Sequence, residues 1–198
     1  MKRSHFLQLV FAATLSAAAA LSGSAVAQTV EIEGVKFDQT IQLGGTALQL
    51  NGVGLRTRAI FRVYVAGLYV PQKANTAQAL LAQKGPRRVA MAMLRNVDAE
   101  SFASALNDGL RANLTEAQVA GFKAQIDALN ASLKAVGEVK RGDLINFEFT
   151  PEAGTRITLN GQPRGSAIAG EDFFAAVLRI WIGDKPVDAA LKRGLIGG

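Results

Sequence analysis

Hydrophobic and polar positions along the chain change period several times, and each change marks an element. Residues 30–37 alternate as two short strands broken at Gly34, because side chains alternate faces along a strand. Residues 41–43 and 46–50 continue the alternation across Gly44-Gly45. Asn51-Gly52 carries turn chemistry, since both central positions of a type I′ turn need positive φ. The run after it organises the rest of the chain. Its odd positions are Leu55, Thr57, Ala59, Phe61, Val63 and Val65, an almost wholly apolar face. Its even positions are Arg56, Arg58, Ile60, Arg62, Tyr64 and Ala66, a face with three guanidiniums and a phenol. Gly67 permits a bulge or close backbone approach, and Pro71 ends the pairing.

Downstream, the period switches between helix and strand. Asn75 or Thr76 caps a helix over 77–84, with Gly85 and Pro86 at its end. Val89, Met91 and Met93 alternate as a strand ending near Arg95. Asp98 is an N-cap for a helix carrying Phe102, Leu106, Leu110 and Leu114, with Val97 and Phe102 placed as a hydrophobic staple. Thr115 and Gln118 form a capping box for a second long helix, with Val119, Phe122, Ile126, Leu129 and Leu133 on one face, closing near Gly137. After a turn at 140–143, Ile145, Phe147 and Phe149 alternate against Asn146 and Glu148. Residues 155–159 are the partner strand, and Asn160-Gly161 turns the chain back through 162–165. In the helix over 171–182, Phe174, Val177, Leu178 and Trp181 form a buried stripe. A short last helix is capped by Asp188 and stopped by Gly194. Strands, a short helix, a strand, two helices, strands and a helix predict an α+β fold, an antiparallel sheet with helices gathered on one face.

The first residues read differently. Lys2, Arg3 and His5 precede an apolar, Ala-rich stretch, and Ala25-Val26-Ala27 is a small-x-small cleavage site. This predicts a signal peptide over 1–27 and one domain over 28–198, periplasmic or secreted. The apolar run is short for a bilayer span, and no later segment is long enough, so no stable span is expected after cleavage.

Cleavage removes two cations and no acid, so net charge falls from +6 to +4. Basic residues are spread along the chain without the clustered stripe of a nucleic-acid binder, so no nucleic acid is expected. Cys is absent, and the only histidine, His5, leaves with the signal. A Ser-His-Asp or Cys-His nucleophile is thereby excluded. A zinc site lacks its usual ligands, and no dinucleotide or phosphate loop appears, so neither metal nor cofactor is expected. Chemistry must rest on Arg, Lys, Tyr, carboxylates, amides or water. Two readings of the Arg/Tyr face stand open: a solvated outer face, or an anion-binding face whose guanidiniums supply charge and a planar donor fork.

The Gly-Leu-Arg motif ending at Arg56, followed by Phe61-Arg-Val-Tyr-Val-Ala-Gly-Leu-Tyr-Val70, resembles the signature of the chalcone isomerase superfamily. The segment from Ala176 to Lys192 resembles that family's terminal helix, glycine turn and last short helix. The similarity is greatest to the exported bacterial chalcone-isomerase-like branch. It implies an open-faced β-sandwich, a large antiparallel sheet under a layer of helices, with the ligand cleft between them. Arg56 falls on the family's enolate-stabilising Arg, a cation aimed at developing charge. In the family's fatty-acid-binding members an Arg and a Tyr hold the carboxylate, and Tyr64 stands where the enzymes keep a Thr. The helix begun by Asp98 matches the one that carries a catalytic Tyr and Asn in the plant enzymes. Here Phe102 is its nearest aromatic and Asn107 its stand-in amide.

Three functions follow. The first is a non-catalytic binder of a fatty acid or another small amphipathic carboxylate, with Arg56, Tyr64, Phe102 and Asn107 as its site. The second is an isomerase or intramolecular lyase in which Arg56 stabilises an enolate. The third is a structural envelope interaction protein with a vestigial pocket. Each candidate also has a bland alternative: Arg56 pairing with an acid such as Glu148, Tyr64 and Tyr69 as rim residues of the core, and Phe102 and Trp181 as core packing.

Overall fold

The structure is a computed structural model that describes residues 28–198. The predicted signal segment over 1–27 lies outside the described residues. Nine strands and six helices follow in the order β1 (Thr29–Ile32), β2 (Val35–Asp38), β3 (Thr40–Leu43), β4 (Thr46–Arg58), β5 (Phe61–Val70), α1 (Ala77–Ala82), β6 (Arg87–Met93), α2 (Ala99–Ala112), α3 (Glu116–Gly121), α4 (Lys123–Val136), β7 (Leu144–Thr150), β8 (Gly154–Leu159), β9 (Gln162–Ile168), α5 (Glu171–Ile182) and α6 (Ala189–Leu195). Seven strands form one antiparallel sheet in sequence order, β3 to β9, and β1–β2 is a separate hairpin. This is the α+β open-faced sheet that the pattern and the resemblance implied.

The caps form where short polar side chains precede apolar runs. Asp98 accepts from Ser101 N–H, Thr115 and Gln118 close a reciprocal box, and Asp188 accepts from Ala190 and Leu191 N–H. The helices bury their apolar stripes against one face of the sheet, with Trp181, Phe173, Phe174 and Phe147 at the centre of that core. A second apolar cluster lies on the opposite face, where the β1–β2 hairpin covers Leu48, Leu50, Val65 and Tyr69 with Phe37. The rest of that face holds polar pairs such as Arg88–Glu148 and Asn146–Thr158.

Three sequence expectations are corrected. Asn51-Gly52 does not turn the chain. The register steps from Leu50↔Tyr69 to Gly52↔Leu68, so Asn51 is a bulge within the continuous strand β4. Its carboxamide accepts from Ala74 N–H and donates to the Leu195 carbonyl. The hairpin turn instead falls at Ala59-Ile60, so the single run from 55 to 66 is two strands. A second bulge, at Val63, separates Arg56↔Tyr64 from Thr57↔Arg62. It reverses the facing of side chains along β5, which is why Arg62 and Tyr64 do not share a face. Tyr64 enters the helix-side core, while Arg62 pairs with Glu33 of the β1–β2 turn. Lastly, the predicted helix after Thr115 is two, α3 and α4, broken at Phe122, whose ring packs edge-on against Phe173.

The glycines of the motif are explained by packing. A Cβ on Gly52 would lie 2.1 Å from the Gly194 carbonyl oxygen, and one on Gly54 would lie 2.8 Å from that of Leu191. The backbone of α6 therefore rests directly on β4, with Gly194 answering from the helix side, where an added Cβ would lie 2.3 Å from the Val53 oxygen. This seating carries the Asp188 cap to the Thr57 N–H, which donates to Asp188 Oδ2 at 3.0 Å.

Candidate functional site

Arg56 and Tyr64 face one another as direct cross-strand partners on β4 and β5. The Arg56 guanidinium lies over the Tyr64 ring, 5.5 Å from its centre. Behind the ring, Trp181 of α5 donates its indole N–H to the Tyr64 hydroxyl at 3.0 Å. That bond uses an oxygen lone pair, so the phenolic proton remains to be offered elsewhere. Burial pushes the Tyr64 hydroxyl up to about 12, against the pull of the Arg56 guanidinium and of the Trp181 hydrogen bond. At neutral pH this phenol is a hydrogen-bond donor and not a base.

A cleft of about 350 Å³ opens beside the pair, between the ends of β4–β6 and the first turns of α2. Val63, Met91, Met93, Phe102 and Leu106 make its apolar wall, while Arg56, Arg58 and Arg95 supply cationic groups. Asp98 lies at the same end, held below the usual carboxylate range first by the Ser101 N–H. Arg56 Nε is buried without a hydrogen-bond partner. A desolvated, unpaired donor costs roughly 1–3 kcal/mol, so it is a feature to be explained. Glu148 does not relieve it, because Glu148 pairs with its own cross-strand neighbour Arg88 at 2.7 Å.

The structure therefore brings Arg56, Tyr64 and Phe102 to one cleft. It leaves Asn107 outside: the Asn107 amide donates to the Ala103 carbonyl of its own helix at 3.0 Å, and the residue is not part of the cleft wall. Its position in the sequence, one past Leu106, takes it off the face that α2 turns to the sheet. Sequence reasoning missed Arg58, Arg95 and Ser101 as cleft residues. Arg58 is the next even position after Arg56 in the sequence. Arg95 and Ser101 come from the ends of β6 and the start of α2, and only the hairpin's true position puts them across from Arg58. The Trp181–Tyr64 bond was equally hidden. Beyond Arg56 and Arg58 a shallower polar groove of about 660 Å³ continues past Ser104 and Asp108 to Lys185. The other tyrosine, Tyr69, lies in the second cluster, and burial together with the Asp38 charge pushes it up to about 12 as well.

No group of three or more His, Cys, Asp or Glu that could hold a metal ion occurs among the described residues, and no helix there is long and apolar enough to cross a membrane. A family profile described as chalcone isomerase-like matches residues 29–197. No curated protein matches the chain in sequence. Among solved structures, a fatty-acid binding protein of Arabidopsis thaliana superposes with a TM-score of 0.66 at 16% identity, over 85% of this chain and 96% of that one. At that identity the likeness speaks for the fold.

Proposed function

Since the chain belongs to the chalcone isomerase-like family, we propose that it is an exported, periplasmic member that binds a fatty acid or similar small amphipathic carboxylate without transforming it. The observation that carries this reading is the unpartnered, buried Arg56 Nε together with a Tyr64 hydroxyl that only accepts, from Trp181, on two residues that both line an apolar cleft. A carboxylate placed there accepts from a guanidinium and a phenol together, and charge-assisted hydrogen bonds of this kind are about twice as strong as neutral ones. The apolar wall takes the chain. At about 350 Å³ the cleft falls within the size range of small-ligand sites. The fatty-acid binding protein that shares this fold is a precedent for such a ligand.

The isomerase reading is weaker on chemistry. Tyr64, held protonated by burial, cannot take a proton at neutral pH, and Ser101 is the one polar residue that α2 presents to the cleft, beside Phe102, Ala105 and Leu106. A vestigial pocket fits poorly with a cleft that stands open beside Arg56. Export rests on the N-terminal segment alone.

The test is titration of the delipidated protein with decanoic and dodecanoic acid, read by calorimetry and native mass spectrometry. One acid bound per chain, lost in Arg56→Ala, is the expected result. No binding by the parent protein, or equal binding by Arg56→Ala, would overturn it. A chalcone cyclisation assay serves as the control for catalysis, expected at the buffer rate.

A further inference from the structure

The tip of the β4–β5 hairpin breaks two local rules at once. A two-residue hairpin turn ordinarily carries Asn, Asp or Gly, because these tolerate positive φ. Here it carries Ala59-Ile60, and Ala59 takes φ 54. The other two non-glycine residues with positive φ among the described residues, Glu33 and Asn160, each precede a glycine, as turn chemistry expects. Ile60 is 87% exposed and Phe61, beside it, 52%. Nothing among the described residues covers Ile60, so an apolar, β-branched side chain stands in water at the apex of a strained turn. Locally unfavourable choices without an internal gain point to a function outside the fold.

Charge around the tip narrows what that function is. Arg58 and Arg62 flank the turn on its two strands. Arg95 lies over the Phe61 ring, 4.7 Å from its centre. The turn at 140–142 is tied alongside, with Arg141 N–H donating to Asn96 Oδ1 at 2.9 Å, and it adds exposed Lys140 and Arg141. Of the nearby carboxylates, Glu33 is neutralised by Arg62, while Asp143 and the α2 cap Asp98 accept only from neutral N–H groups and keep their charge; Arg58, Arg95, Lys140 and Arg141 outnumber those two and leave the tip net positive. An apolar apex ringed by cations matches an anionic lipid surface. The apolar apex enters the headgroup boundary, and the cations meet lipid phosphates. A protein partner would be expected to find a wider apolar patch than two side chains.

Position ties this surface to the cleft. Ala59, Phe61, Arg58 and Arg95 belong to the tip and to the cleft wall at once. From this geometry we infer that the β4–β5 hairpin docks the protein on anionic bilayers, with Ile60 inserted and the cleft mouth facing the lipid. The inference goes beyond ligand binding and does not require it, since docking is read with no fatty acid present.

The experiment is flotation of the protein with vesicles of phosphatidylethanolamine and phosphatidylglycerol, against vesicles of phosphatidylcholine alone. The parent protein is expected to float with the anionic vesicles only, and less at high salt. Ile60→Asn should abolish flotation while decanoic acid titrates as before, because Ile60 does not line the cleft. Arg58→Gln should weaken partitioning about fivefold, the equivalent of about 1 kcal/mol for one basic residue at an anionic surface. Ile60→Trp should blue-shift its emission on addition of anionic vesicles, against the constant signal of buried Trp181. Absent flotation of the parent protein, flotation undiminished by Ile60→Asn, or an unshifted Ile60→Trp emission would overturn the inference. So would a dimer abolished by Ile60→Asn in place of vesicle binding, which would assign the tip to a second copy. Failure of decanoic acid to bind while flotation holds would sink only the ligand reading.

Discussion

Trp181 and Tyr64 stand 117 positions apart in the chain, and the indole N–H of one donates to the hydroxyl of the other at 3.0 Å in the core. The bond fixes the phenol from behind, so its proton projects away from α5. It also ties the sheet to the helix layer at the inner end of the cleft. Tyr64→Phe therefore does two things: it removes the ligand's proposed donor and strands the Trp181 N–H. Removing one partner of a buried pair costs roughly 1–3 kcal/mol. Tyr64→Phe should lower the unfolding free energy by that amount, and the same change should cost less in a Trp181→Phe background, where no indole N–H is left stranded. Chemical denaturation of the parent, the two single variants and the double variant checks the cycle.

The two tyrosines of the chain, Tyr64 and Tyr69, are both pushed up by burial to about 12 from 10.0. An acid whose folded pKa exceeds its unfolded one keeps its proton longer in the folded state. The folded form then binds more protons than the unfolded between those two values, and stability falls as pH rises through them. Below pH 10 the contribution is fully present, and it is lost between about 10 and 12. At about 1.4 kcal/mol per pH unit, a shift of this size is worth on the order of 3 kcal/mol for Tyr64. Ultraviolet titration should show almost no phenolate in the folded protein at pH 10, and about half of each tyrosine ionising when urea unfolds it there. Ordinary titration of either tyrosine in the folded protein would contradict this.

Arg56→Met should separate binding from stability. It removes the desolvated, unpartnered Nε and keeps a long side chain in place. The ligand-free protein should be as stable as the parent or more so. Affinity for decanoic acid should fall between about tenfold and a hundredfold, the worth of a charge-assisted hydrogen bond of about 1.5–3 kcal/mol. Thermal melts with and without the acid read both quantities: the parent gains on addition and Arg56→Met does not.

Much of this was legible in the chain. The caps at Asp98, Thr115 and Asp188, the Asn160-Gly161 turn and the stripe of α5 formed where short-range chemistry dictates them. What escaped was decided by partners far away in sequence. Gly52 reads as half of a turn, yet its missing Cβ makes room for the Gly194 carbonyl of α6. The true hairpin apex is Ala59-Ile60, which carries no turn residue at all. The bulge at Val63 leaves no mark in the apolar alternation but decides that Tyr64, and not Arg62, joins Arg56 at the cleft. Glu148, the acid offered in the bland alternative for Arg56, pairs with its cross-strand neighbour Arg88, a pairing that register alone reveals.

Arg87 is fully buried, with its guanidinium over the rings of Phe149 and Phe174 and one nitrogen 2.8 Å from Glu171 Oε1. Burial lowers its pKa against the pull of Glu171. The same carboxylate oxygen accepts from the Gly85 N–H, so it joins β6, the α1–β6 loop and the start of α5. Glu171→Ala leaves a cation unpaired in the core and should cost about 3–5 kcal/mol. Arg87→Met in that background should recover part of the loss. Denaturation midpoints of the single and double variants decide it.

Ala59→Gly gives the strain at the hairpin apex a number. A non-glycine residue in the left-handed region costs about 1–2 kcal/mol. Glycine relieves that but loses roughly 0.5–1 kcal/mol more conformational entropy on folding. The first term is larger, so Ala59→Gly should stabilise the protein by about 0.5–1 kcal/mol, read as a rise in its urea midpoint at unchanged slope. Ala92, buried in extended β6 without positive φ, serves as the control, where the same change to glycine should destabilise. An Ala59→Gly midpoint at or below the parent's would mean that the apex holds its conformation without strain. The hairpin would then have lost one of the two features that set it apart from an ordinary turn, with exposed Ile60 left to carry the docking argument alone.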